Sequence, residues 1–178
     1  MKFEELLARI HTNRKDNFIV PQRLLALDPG ETTGYAVFEN GSLSTIGHRK
    51  LGMTDNKKTL DFEPVVELIS AYFPNIVVCE NYRIYAWKVN QHTWADLITP
   101  KLIGAITYRC SYMNIPLGFQ DAQEAKGFVT DKKLKEWEYY YKGAHARDAI
   151  RHGAYYLLFN KGGMDVQNVI RGGNEMGQ

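Results

Sequence analysis

Long apolar runs are missing from this chain of 178 residues, cysteine is scarce, and neither sign of charge prevails. Each shortage excludes something. No uninterrupted apolar stretch approaches the roughly 20 residues that a membrane-spanning helix needs. The opening segment from Met1 to Phe18 interleaves Glu4, Glu5, Arg9, Arg14 and Lys15 with its apolar residues, unlike a secretory leader, so a cytoplasmic protein with no membrane partner is expected. The two cysteines, Cys79 in an apolar strand-like run and Cys110 in a helix-like segment, lack the paired spacing of a metal site, and reduced core thiols are the expectation. A net charge of +2 is too small to diagnose a nucleic-acid partner from the total, so local distribution must carry that case.

What is present suits one folded domain. The chain is 44% hydrophobic, enough for one sizeable core, and helix-like stretches alternate with strand-like runs in the manner of an α/β or α+β protein. Residues 1–22 read as an N-terminal extension with a weak helical stripe of Leu6, Leu7 and Ile10, equally compatible with a docked helix or a loose arm. The domain proper is expected over 23–160, and the glycine-rich tail over 161–178 is expected to be disordered.

The most informative stretch is Leu27-Asp28-Pro29-Gly30-Glu31-Thr32-Thr33-Gly34. It follows the apolar run Arg23 to Leu27 and precedes a second strand near 34–39, so Asp28 is fixed by a strand and exposed by a turn. Asn40-Gly41 signals a tight hairpin into a third strand near 42–48. A helical period from Lys57 to Phe73, with Pro64 near the start of the regular helix, leads to Asn75 to Glu80, apolar enough for a central parallel strand. Helices are expected over Trp87 to Leu97, Pro100 to Met113 and Ala144 to Phe159, with a fifth strand over Ile115 to Gln120. The segment Asp131 to Lys142 reads as a loop or short helix.

Asp28 and Glu80 both end strands, and adjacent parallel strands would bring them to one sheet edge, where open α/β sheets commonly build ligand sites. In the last helix, His145 and Asp148 share a face, with His152 one turn further, and Ala144, Ala146 and Ala149 permit close approach to the sheet. Clustered carboxylates repel unless protonated or neutralised by a cation. Magnesium suits them, and two ions about 4 Å apart can activate water and stabilise a leaving oxygen in phosphodiester hydrolysis. Taken singly, Asp28 is equally a turn-stabilising residue and His145 a packing one.

With its Leu-Asp-Pro-Gly start, Gly34, the Val77-Val78-Cys79-Glu80 strand end and His145-Ala146-Arg147-Asp148-Ala149, the chain from about Leu24 to Leu158 resembles the RuvC family of Holliday junction resolvases, especially phage-type relatives. The resemblance implies a ribonuclease H-like fold: a five-stranded mixed β-sheet flanked by α-helices. It implies a homodimer with two active sites that makes paired, metal-dependent nicks in four-way DNA junctions, with less selective cutting of branched DNA among phage-type relatives. It makes Asp28, Glu80 and Asp148 metal-binding acids, and His145 a fourth ligand or proton-transfer group. Magnesium is the implied ion, two per site, with manganese as an alternative. His152 has no counterpart and reads as a surface or core histidine.

Family members contact DNA with the segment after the second acid, here Tyr82, Arg83, Tyr85, Trp87 and Lys88, whose aromatics would stack on bases while the cations meet phosphates. Tyr85 and Trp87 read equally as core residues of the next helix. Lys126 matches a lysine placed near the scissile phosphate, and Lys132, Lys133 and Lys135 extend a basic patch that is otherwise a solvated face. Two other functions fit parts of the pattern. Asp28 to Gly34 also suits the Asp-x-Gly-x-Thr phosphate loop of actin-like and sugar-kinase ATPases, though those close two such domains around a nucleotide. A branched-DNA-binding module without catalysis would also keep this frame.

Overall fold

Strand β1 (Arg23–Asp28) is buried on both faces from Leu24 onward, as its unbroken apolar run requires. The computed structural model describes residues 1–13, 18–54, 59–82 and 97–159. Before β1 lies helix α1 (Phe3–Asn13); after it, β2 (Thr32–Glu39) and β3 (Ser42–Lys50) pair antiparallel in succession. The β2–β3 turn uses Asn40 and Gly41 at φ 50° and 85°, the left-handed pair that a two-residue hairpin of matching twist demands.

A small ribbon of β4 (Gly52–Met53) and β5 (Leu60–Asp61) follows. Helix α2 spans Glu63–Tyr72 and starts beside Pro64, as expected; the Asp61 carboxylate accepts the Glu63 N–H at 2.9 Å, and Leu60 and Asp61, at the front of the helical period, are taken by the ribbon. Strand β6 (Ile76–Glu80) runs parallel to β1, and after α3 (Ile98–Tyr112) strand β7 (Leu117–Gln120) runs parallel to β6. The sheet order is therefore β3-β2-β1-β6-β7, mixed and five-stranded.

Three helices close the domain: α4 (Ala122–Phe128), α5 (Asp131–Glu136) and α6 (Ala144–Phe159). The short α5 forms where the sequence left loop and helix open, because Thr130 caps it through the Lys133 N–H and Leu134 anchors it in the core. The helix expected over Trp87 to Leu97 and the tail lie outside the described residues.

Side chains alternate across each strand and so divide the core into two layers. Leu25, Leu27, Val77 and Cys79 pack with α2 and α3, whereas Leu24, Ala26 and Val78 face α6, α4 and α1. Both cysteines are free and buried in the first layer. α1 belongs to the second: Phe3 is 0% exposed and meets Trp137 edge-on at 5.0 Å between ring centroids.

Helix α6 lies tight on the sheet because small residues permit it. A Cβ on Gly34 would stand 2.0 Å from the His145 carbonyl carbon, and one on Gly153 would stand 2.2 Å from the Phe38 ring. Ala146 and Ala149 fill the same seam. This contact sets the height of the first turns of α6 above the ends of β1 and β2.

Candidate active site

Leu27 pairs with Cys79 across the parallel β1–β6 ladder, so Asp28 and Glu80, one residue further, leave the sheet side by side. Leu27 and Cys79 point to the α2/α3 layer, which turns Asp28 and Glu80 to the α6 side. There α6 supplies His145 and Asp148, and α4 supplies Lys126. These five side chains, with Tyr82 and Thr99, line one cleft of about 320 Å³.

Every carboxylate in the cleft has a cation-capable partner. His145 Nδ1 stands 2.8 Å from Asp28 Oδ2. Lys126 Nζ lies 2.9 Å from Asp148 Oδ2 and 3.6 Å from Glu80 Oε2. His152 Nε2 is 2.8 Å from Glu80 Oε2, and Arg151 bonds both Asp148 and Asp131. Since a carboxylate only accepts, the imidazole nitrogen facing it carries the hydrogen; this places Nδ1–H of His145 toward Asp28 and leaves its Nε2 without a hydrogen bond among the described residues.

The environment drives the two strand-end acids apart. Burial, reinforced by the charges of Glu80 and Asp148, pushes the Asp28 carboxyl up to about 6 despite its bond from His145. Burial also acts to raise Glu80, but the hydrogen bond and charge of His152, with Lys126, outweigh it and hold Glu80 below its ordinary value. Lys126 loses some proton affinity to burial and regains more from Asp148 and Glu80, so it remains an ammonium. Asp28 thus feels the other two acids and retains an unmet demand for positive charge.

The turn after Asp28 is self-contained. Thr33 is fully buried, accepts the Gly30 N–H at 3.3 Å and donates to the Gly30 carbonyl at 3.0 Å. The Gly30 N–H, the backbone donor at the glycine of the Asp-x-Gly-x-Thr pattern, is therefore already used within the turn.

The other residues singled out from the sequence divide. Tyr82 lines the cleft, whereas Arg83, Tyr85 and Lys88 lie outside the described residues. Lys132 is exposed on α5, away from the cleft lining. Lys133 is turned inward: its Nζ bonds the Phe128 carbonyl at 2.8 Å and lies 3.3 Å from the centre of the Phe128 ring. Of the surface and core readings, His152 takes the core one, yet it also reaches Glu80, a contact that its place one turn beyond Asp148 allowed. Gln120 and Arg151 are further members that the sequence did not single out. For Gln120 a signal existed, since it ends β7 as Asp28 and Glu80 end their strands.

The cleft's donor set, three carboxylates and one imidazole, fits a hard divalent cation in kind. As placed, no three His, Cys, Asp or Glu side chains among the described residues stand close enough to hold one ion. The negative charge of Glu80 and Asp148 is shared with Lys126, His152 and Arg151 instead.

No protein-family model matches the chain. No curated protein matches its sequence. Solved structures do match it in fold. RuvC of Thermus thermophilus in complex with Holliday junction substrate aligns with a TM-score of 0.56 at 13% identity, covering 78% of this chain and 94% of that one. A second Thermus thermophilus RuvC structure gives 0.55 at 14% identity over 78% and 95% of the two chains. The yeast mitochondrial Holliday junction resolvase Ydc2 gives 0.48 at 14% identity over 87% and 84%. The chain has the RuvC-type, ribonuclease H-like fold.

Proposed function

We propose that this protein is a divalent-metal-dependent endonuclease that resolves four-way DNA junctions, acting as a homodimer. The observation that carries the reading is the cleft at the carboxyl edge of β1 and β6, where Asp28, Glu80 and Asp148 meet beside Lys126 and His145. The fold shared with RuvC, whose Thermus thermophilus form is seen with Holliday junction substrate, supports the substrate class. Two symmetric cuts in one junction need two such clefts, hence a second copy.

Asp28, Glu80 and Asp148, with His145, would hold magnesium or manganese. When bound there, such ions supply an activated water and stabilise the charge of the leaving oxygen. Asp28 is the acid with the greatest gain from a cation, because burial and its two neighbours oppose its charge. The His145 Nδ1–H orients Asp28 and keeps Nε2 available to take a proton within the cleft. Lys126, already charged and 41% exposed along its side chain, would meet a phosphate oxygen of the DNA. Tyr82, on the lining of the cleft, would stack on a base of the DNA.

The Gly30 N–H, at the glycine of the Asp-x-Gly-x-Thr pattern, is already taken by the Thr33 hydroxyl, which weighs against a nucleotide-binding kinase-like domain. The test is incubation with Mg²⁺ or Mn²⁺ and labelled four-way, forked and linear duplex DNA. Symmetric nicks confined to the four-way junction are expected. Cutting of linear RNA–DNA hybrids would point to a different nuclease, and junction binding without any cutting to a non-catalytic module.

A further inference from the structure

Glu80 is gripped from behind by a buried pair that plays no direct part in the chemistry above. His152 is 0% exposed, one turn beyond Asp148 on α6, and both ring nitrogens are engaged: Nε2 with Glu80 Oε2 at 2.8 Å and Nδ1 with Gln120 Oε1 at 3.0 Å. Gln120 is itself only 2% exposed and sits directly opposite Glu80 in the β6–β7 ladder. A chain of contacts thus runs from β7 through α6 to the carboxylate on β6.

We propose that His152 and Gln120 are positioning residues that lock Glu80 with one oxygen held inward and the other presented to the cleft. The Glu80 carboxylate and the Gln120 side-chain oxygen both accept only, so in this arrangement both His152 ring nitrogens donate, Nε2–H to Glu80 and Nδ1–H to Gln120, which fixes the ring's rotation. Glu80 Oε2 is the oxygen shared by His152 and Lys126, while Oε1 makes no hydrogen bond among the described residues. An apolar residue at 152 would fill this core without the desolvation cost of an imidazole beside a carboxylate. A purely packing role therefore does not account for the choice. Holding a ligand's second oxygen is how neighbouring groups raise the affinity of a metal site, and losing such a partner typically costs about 10- to 100-fold in metal affinity.

This inference rests on the reading of Glu80 as a cation-holding acid. Its test is direct Mn²⁺ binding by electron paramagnetic resonance on the full chain, together with junction binding and thermal unfolding, for wild type, His152→Leu, His152→Gln and Gln120→Leu. His152→Leu is expected to bind Mn²⁺ about 10- to 100-fold more weakly while junction affinity is kept. His152→Gln, which retains an N–H donor, is expected to recover part of the loss. Should His152→Leu fail to fold, Gln120→Leu decides: weaker Mn²⁺ binding at an unchanged unfolding temperature supports the pair. Wild-type Mn²⁺ affinity in a folded His152→Leu, or in Gln120→Leu when the former does not fold, overturns it. A wild-type protein that binds no Mn²⁺ removes the nuclease reading, and this inference with it.

Discussion

Lys126 Nζ stands 2.9 Å from Asp148 Oδ2 and, through the same ammonium, 3.6 Å from Glu80, so a cation of the chain occupies the space between two acids of the cleft. The lysine and an incoming divalent ion compete for those oxygens. Replacing it with an uncharged residue of similar length should therefore have opposite effects on binding and on cutting. Lys126→Met is expected to bind Mn²⁺ about two- to fivefold more tightly, the size of a partly exposed ion pair. It should cut junctions about 100-fold more slowly through loss of a phosphate contact. Metal titration and single-turnover cleavage of the same preparation check both.

Asp28 contributes the opposite of stability once ionised. Its folded-state carboxyl titrates near 6 against an ordinary value of 3.8, so the folded protein holds the proton more tightly than the unfolded chain. The stability this confers is complete at low pH and is lost as pH rises through the window from about 4 to 6. Asp28→Asn keeps an acceptor for the His145 Nδ1–H and never ionises. Relative to wild type without metal, it should gain up to about 3 kcal/mol above pH 6.5 and little near pH 4, because each tenfold change in proton affinity on folding is worth about 1.4 kcal/mol. Urea unfolding across that range measures the gap, and a constant difference would contradict the assignment.

The same substitution bears on activity. Asp28→Asn and, separately, Asp148→Asn are expected to abolish cutting while leaving junction affinity within a few-fold, because these groups would hold cations rather than DNA. Gel-shift and cleavage assays on four-way junctions check this; full cleavage by either variant would remove the proposed site.

Gly34 is where the first strand pair comes closest to the start of α6. With a Cβ at 34 placed 2.0 Å from the His145 carbonyl carbon, even alanine must displace the start of the helix. Gly34→Ala is expected to cost about 1 to 3 kcal/mol, as overpacking does, and to lower cleavage far more than junction binding. Denaturant unfolding read beside kcat separates the two effects.

Helix α1 is part of the core rather than a loose arm. Phe3 is fully buried among Phe38, Trp137 and Tyr139, and Tyr139 donates to Glu4 at 2.6 Å. Phe3→Ala should destabilise the protein by about 3 to 5 kcal/mol, measurable as a lowered denaturant midpoint.

Much of this frame could be read from local pattern. Asn40-Gly41 named its hairpin, the all-apolar run before Glu80 named a central strand, and the alanines of α6 named a helix that packs closely. Local pattern was a poorer guide where pairing competes with periodicity. Leu60 continues the helical period of α2 yet joins a strand ribbon, because it pairs there with Met53 while Asp61 pairs with Gly52.

By itself the sequence determined where strands end in carboxylates and which residues share a face of α6, since turn chemistry and periodicity depend on near neighbours. Only the tertiary structure decided which charges meet. That Lys126 bridges Glu80 and Asp148, that Lys133 turns inward to Phe128, and that His152 with Gln120 holds Glu80 from behind depend on strand register and on the rotation and height of α6 over the sheet. Those follow from packing between segments far apart in the chain, at contacts such as Gly34 against His145.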